Sequence, residues 1–146
     1  MSRQQPPGPE YQQQMKSVKT ESAPVMRQVD VECVAPYREI NWQNIGRAAA
    51  GMSPESVQYS QGLRPPGHLT SFVRMVGKST KGITNTATNT LICVVMEGEV
   101  TVMINSSQFV ATRGDTFFVP HHNTYNLINL GDSTAELFIV QYKTPE

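Results

Sequence analysis

From residue 69 to residue 142 the sequence falls into seven runs of β-branched, aliphatic and aromatic residues: 69–76, 90–96, 99–104, 108–112, 115–119, 125–129 and 136–142. Each is bounded by a Gly, Asn, Asp, Ser or Pro break, the pattern of short strands joined by turns. No amphipathic helical stretch separates them, so their even spacing predicts an antiparallel sandwich or barrel. Upstream, Val29-Asp30-Val31-Glu32-Cys33-Val34 alternates apolar and polar residues and is closed by Pro36, which predicts a half-buried first strand. Val57-Gln58-Tyr59-Ser60 reads as another. The stretch 37–51 is ambiguous between an edge strand and a short helical turn ending at Gly51. Arg64-Pro65-Pro66-Gly67 is a turn, and Glu97-Gly98 and Asn105-Ser106-Ser107 read as hairpin turns. No internal repeat is visible.

A chain of 146 residues suits one domain with a substantial core. Residues 1–28 are rich in Gln, Pro, Ser and Lys and bury too little to offset the entropy of ordering. The expected organisation is a flexible leader over 1–28 followed by a folded domain over 29–146, with the leader the cut end of a longer protein. Twelve basic residues balance twelve acidic ones, so the broad positive field needed to grip nucleic acid is missing. Cys33 and Cys93 stand apart without a CxxC pair, which predicts two reduced thiols rather than a zinc site or a disulfide framework. No apolar run approaches the length of a membrane helix and the N-terminus has no hydrophobic signal core. A soluble intracellular protein with no membrane partner is expected.

Gly114-Asp115-Thr116-Phe117-Phe118-Val119-Pro120 joins a turn glycine and an acidic residue to a strand and a proline; Tyr125-Asn126-Leu127-Ile128-Asn129 follows after a polar loop. This resembles the second cupin motif, with Gly114, Pro120 and Asn129 on the pattern. His122 stands where that motif has a glycine, and Tyr125 where it has a metal-binding histidine. The first cupin motif supplies a His-x-His pair and a glutamate seven residues before a turn glycine. With Gly98 as that glycine, the glutamate position is Leu91, and residues 77–96 contain neither histidine nor carboxylate. A bound metal needs three or four donors converging on one point, so no metal and no other cofactor is expected. His121 and His122 are adjacent and would point opposite ways on an extended chain, which leaves them as loop histidines. His68 is read the same way, and no Ser-His-Asp nucleophile elbow is recognisable. The chain is not expected to be an enzyme.

Within the cupins, the run from Gly114 to Pro120, then Asn123-Thr124-Tyr125-Asn126, and the end Leu137-Phe138-Ile139-Val140-Gln141-Tyr142-Lys143 resemble the C-terminal cupin of the centromere protein C family. The resemblance is specific over 91–143, thinner over 29–81, and does not reach the leader. It implies an all-β cupin, a jelly-roll barrel, at the kinetochore in the nucleus. It further implies a scaffold that homodimerises and recruits a factor assembling the centromeric histone variant, or another kinetochore protein. The Arg-rich nucleosome-reading segment of such proteins is absent, since Tyr37-Arg38-Glu39-Ile40-Asn41-Trp42 lacks a preceding basic cluster. Nucleosome contact would then belong to regions outside this chain. The motif positions Gly98, Gly114, Asp115, Pro120, Tyr125 and Asn129 are assigned structural roles.

Side-chain parity bears on the dimer separately. With Leu91 inward, Cys93 and Val95 follow it, and Ile92, Val94 and Met96 face out. With Glu136 exterior on the last strand, Phe138, Val140 and Tyr142 share that outer face, and Leu137, Ile139 and Gln141 face in. If the two strands are neighbours, the outer patch exceeds what a monomer ordinarily exposes and approaches the size of a specific interface. Either a second copy covers it, or the N-terminal strand and residues 40–50 fold over it within the chain. The alternative function is a small-molecule-binding or sugar-nucleotide-isomerase cupin. Such a site wants converging polar groups, whereas the inward positions Leu91, Cys93, Val95, Leu127, Leu137 and Ile139 are apolar and only Tyr125 and Gln141 are not. No small-molecule partner is therefore expected.

Overall fold

The computed structural model describes residues 17–22, 27–45 and 56–145. The chain divides into two units, Met1–Ile40 and Asn41–Glu146. In the first, strand β1 (Ser17–Ser22) pairs antiparallel with β2 (Arg27–Glu32), in register from Ser17 opposite Glu32 to Ser22 opposite Arg27. A 3-10 turn, Tyr37–Glu39, follows Pro36. The expected strand at 29–34 is thus present, shifted by two residues, and its partner β1 comes from the stretch expected as leader. Residues 1–16 lie outside the described residues.

The second unit is a jelly roll of two sheets. The strands are β3 (Gln43–Asn44), β4 (Val57–Gln61), β5 (His68–Met75), β6 (Ser79–Thr80), β7 (Thr84–Asn85), β8 (Asn89–Glu97), β9 (Glu99–Ile104), β10 (Ser107–Thr112), β11 (Thr116–Val119), β12 (Thr124–Asn129) and β13 (Ala135–Lys143). One sheet runs β11-β8-β13-β5-β4-β3; the other runs β10-β9-β12-β6, with β7 also on β12. All seven expected runs from 69 to 142 are strands, as is 57–60. The ambiguous stretch 37–51 holds the 3-10 turn and β3; residues 46–51 lie outside the described residues. Period-two burial is clearest in the long central strands: Leu91, Cys93 and Val95 of β8 and Leu137 and Ile139 of β13 lie in the core with Val73, Val102, Val119 and Leu127.

Two expectations about the loops are corrected. Glu97-Gly98 is not a hairpin turn: β8 already has β11 on one side and β13 on the other, so β9 crosses to the opposite sheet. Gly98 is the corner, with φ of 75°. Asn105-Ser106 does close a hairpin, pairing Ile104 with Ser107. The two loop histidines are also not splayed. His122 takes a left-handed φ of 60°, and the resulting bend leaves the His121 and His122 rings 4.9 Å apart.

Candidate functional site

The cupin-motif residues act on the backbone. The Asp115 carboxylate accepts from the Thr112 N–H at 2.8 Å and the Thr112 hydroxyl at 3.2 Å, while its own N–H donates to the Thr112 carbonyl at 2.9 Å. The adjoining Gly114 has φ of 88° and donates its N–H to the Val95 carbonyl at 2.7 Å, tying the β10–β11 turn to β8. The Pro120 carbonyl accepts the Thr86 hydroxyl at 2.9 Å. Asn129 is buried; its amide donates to the carbonyls of Met75 (3.1 Å) and Ser133 (2.8 Å), and its oxygen accepts the Gly131 N–H at 3.0 Å. These three bonds hold the β12–β13 loop against the end of β5.

Inside the barrel, at the place where a metal-dependent cupin gathers its ligands, Tyr125 and Leu91 are buried among Cys93, Val119 and Leu127. The Lys81 ammonium sits 4.3 Å from the Tyr125 ring centroid and donates to the Thr84 hydroxyl at 2.8 Å. Burial pushes the Tyr125 phenol well above its ordinary range, with Cys93 and Tyr59 adding to the rise. Burial likewise raises the Cys93 thiol to about 12, against a smaller lowering by Lys81. Neither group is poised to ionise near neutrality. Among the described residues no three His, Cys, Asp or Glu side chains converge on a point that could hold a metal ion, and the residues at the ligand positions do not fit one.

The thiol gives a direct check. Cys33 is exposed and Cys93 is buried, so a disulfide reagent at pH 8 is expected to modify one thiol per native chain and two after denaturation. The unfolded Cys93 thiol ionises from about 9 and the folded one only near 12. The native state therefore holds more protons across that window, and stability falls as pH rises from 9 towards 12. Urea midpoints measured at pH 8 and 10.5, with Cys93→Ala as reference, read that slope.

The outer face of the β11-β8-β13-β5 sheet is the second candidate. β13 lies beside β8, with Phe138 opposite Val94, Val140 opposite Ile92 and Tyr142 opposite Thr90. Ile92 and Met96 are 42% and 40% exposed, and Val94, Phe138, Val140 and Tyr142 are half-buried. All six residues expected at a dimer interface thus share one face. Two aromatic rings widen it: Phe118 of β11, 60% exposed, lies opposite Ile92, and Phe72 of β5 lies opposite Phe138 with ring centroids 5.2 Å apart. Ile92, Thr116, Phe117, Phe118 and Tyr142 line a groove of about 410 Å³. Phe118 was legible from the motif, since an inward Val119 forces it outward. Glu136, expected to be exterior, stands on this face yet is buried. Arg74 pairs with it at 3.1 Å, and the Trp42 ring covers the guanidinium at 4.0 Å. Part of the face is thus covered from within the unit. Arg74→Ala would take the arginine from a buried carboxylate and is expected to lower stability by about 2 kcal/mol, discounted because the arginine is partly exposed. A urea titration checks this.

Residues 62–141 match the family model described as Mif2/CENP-C like. The chain belongs to that family. Its backbone resembles the Schizosaccharomyces pombe Cnp3 cupin domain, with a TM-score of 0.69 and 15% identity, covering 88% of this chain and 88% of that one. Drosophila melanogaster CENP-C bound to CAL1 follows at a TM-score of 0.61 and 14% identity over 74% of this chain and 80% of that one. KdgF from a Halomonas species gives 0.61 and 16% over 75% and 92%. At these identities the likeness establishes the cupin fold. No curated protein sequence matches. This Mif2/CENP-C-like cupin keeps the motif's turn glycine, proline and asparagine and uses them to tie backbone, while tyrosine and leucine stand at the ligand positions.

Proposed function

We propose that this cupin is a non-catalytic scaffold module of the kinetochore, acting at the centromere in the nucleus. Residues 29–146 form its homodimerisation domain behind the leader 1–28, and the dimer docks a protein that takes part in loading the centromeric histone variant. The carrying observation is the face on which Ile92, Val94, Met96, Phe138, Val140 and Tyr142 stand together, widened by Phe118. An apolar strip across three neighbouring strands exceeds the scattered exposed side chains of an ordinary monomer. Joining two copies of a long chain raises the local concentration of whatever their other regions bind, nucleosomes included, without any new contact. Drosophila CENP-C in complex with CAL1 supports a docking role for a cupin of this kind.

The apolar barrel interior supports the non-catalytic half of the reading. Light scattering on the whole chain is expected to give twice 16.2 kDa at micromolar concentration. A chain that stays at 16.2 kDa through the micromolar range sinks the dimer. Titration calorimetry with zinc, manganese and sugar nucleotides is expected to show no heat of binding; stoichiometric uptake by the barrel would restore the small-molecule reading.

A further inference from the structure

The face proposed for the dimer belongs to one sheet, and the other sheet ends in an edge built unlike a protected one. β10 is its outermost strand, paired with β9 on one side, and no strand among the described residues lies on the other. Edge strands in monomeric proteins are blunted by charge, proline or a bulge. Ser107-Gln108-Phe109-Val110-Ala111-Thr112 has none of these: it is uncharged, free of proline, and in unbroken register with β9. Ser107, Gln108, Phe109 and Val110 are exposed, Val110 by 54%.

Backbone direction along β10 is fixed at its far end. The Thr112 N–H goes to the Asp115 carboxylate and its carbonyl accepts the Asp115 N–H, so Thr112 turns its peptide groups away from β9. In an antiparallel ladder, alternate residues turn the same way. The N–H and C=O of Val110 and Gln108 therefore point off the sheet, and no partner for them is found among the described residues. Asp115 closes one end of the edge and leaves a short stretch open.

We infer that this stretch of β10 receives an extended segment of a partner protein, added as an antiparallel or parallel strand. The inference extends the scaffold reading, giving the docked protein a place that a dimer formed through the opposite sheet leaves open. The chemistry of the guest follows from what surrounds it. Val100–Ile104 of β9, all of β10 and all of β11 carry no charge. A charged guest side chain over them would meet counter-ions only at the end with Glu99, Arg113 and Asp115, so along Ser107–Ala111 electrostatic complementarity calls for an uncharged segment. On the inner side it would lie beside Phe109, whose ring meets Phe117 edge-on at 5.5 Å across the seam between the sheets. Alternate guest residues are therefore apolar, as in other strand-addition complexes.

The probe is a synthetic heptapeptide, Thr-Val-Thr-Val-Thr-Val-Thr, added to the 146-residue chain while amide hydrogen exchange is followed by NMR. Saturating peptide is expected to slow exchange at Gln108 and Val110 by tenfold or more. The same peptide with every second amide N-methylated is expected to do nothing. Val110→Pro removes the outward N–H without touching the β9 ladder and is expected to weaken peptide binding at least tenfold. The N-methylated peptide keeps the test decisive even if that variant does not fold. Absence of protection at millimolar peptide, protection at β11 instead, or unchanged binding by a folded Val110→Pro variant each overturn the inference. Protection that grows with protein concentration alone overturns it too, making a second copy the occupant. Light scattering on the same samples reports the dimer separately: peptide binding by a monomer would sink the dimer and spare the edge.

Discussion

Replacing Ile92 and Tyr142 together by glutamate is expected to halve the mass of the chain in solution, from twice 16.2 kDa to 16.2 kDa, while its β-sheet circular dichroism stays unchanged. The expectation starts from position. Ile92 lies at the centre of the outer face, flanked across the ladder by Phe118 on one side and Val140 on the other. Tyr142 lies at one end, shares the groove with Ile92, and packs near His68 with ring centroids 6.0 Å apart. In a two-fold interface each substitution appears twice, so four carboxylates enter one apolar seam. Each buried unpaired charge costs several kcal/mol, whereas a micromolar dimer is held by only about 8 kcal/mol. Association should weaken by at least about a thousandfold, roughly 4 kcal/mol. The monomer has little to lose, because Ile92 is substantially exposed before any partner arrives. Ile83→Glu, at an exposed residue in the loop before β7 and outside that face, should leave the mass unchanged. A double variant that remains a dimer would remove this face as the interface.

How much of this was readable without coordinates follows from where period-two alternation is long enough to detect. β8 and β13 run nine residues each, and burial alternates over Leu91–Val95 and Leu137–Val140, so inner and outer sets could be separated there residue by residue. β3, β6 and β7 have two residues each; two residues have no period, and these strands exist only because β4 or β12 offers them an edge. Gly98 shows a different limit. A glycine between two strands announces a turn, but whether the chain folds back or crosses over depends on β13, which pairs with β8 from more than thirty positions downstream. Local sequence carries no trace of that insertion. Glu136 is buried against its expected exposure for a related reason: its cover is Arg74 from β5 beneath Trp42, and Trp42 sits in the stretch whose pattern is ambiguous. The motif asparagine, in contrast, was flagged by family resemblance alone, and only the coordinates show it tying the β12–β13 loop to β5.

The corner at Gly98 carries the second large expectation. A Cβ built there would overlap the Thr134 carbonyl oxygen and stand 2.9 Å from the Ala135 Cα, closer than real Cβ atoms come to other heavy atoms. Both neighbours are backbone at the start of β13, where Ala135 and Leu137 are fully buried, so neither can swing aside as a flexible side chain would. The left-handed φ adds about 1 kcal/mol of strain for any residue with a Cβ. Gly98→Ala is therefore expected to lose about 3–4 kcal/mol, a large fraction of the roughly 5–15 kcal/mol that holds a domain together. Gly114 separates the two causes. Its φ of 88° is just as left-handed, yet a Cβ there meets nothing within 4 Å. Gly114→Ala should cost only the conformational strain, about 1 kcal/mol. Urea denaturation of the two variants beside the parent gives both numbers on one scale. A Gly98→Ala loss no larger than that of Gly114→Ala would mean that the β8–β9 corner yields to the added methyl. It would also mean that close packing at Thr134 and Ala135 does not hold the crossing between the sheets.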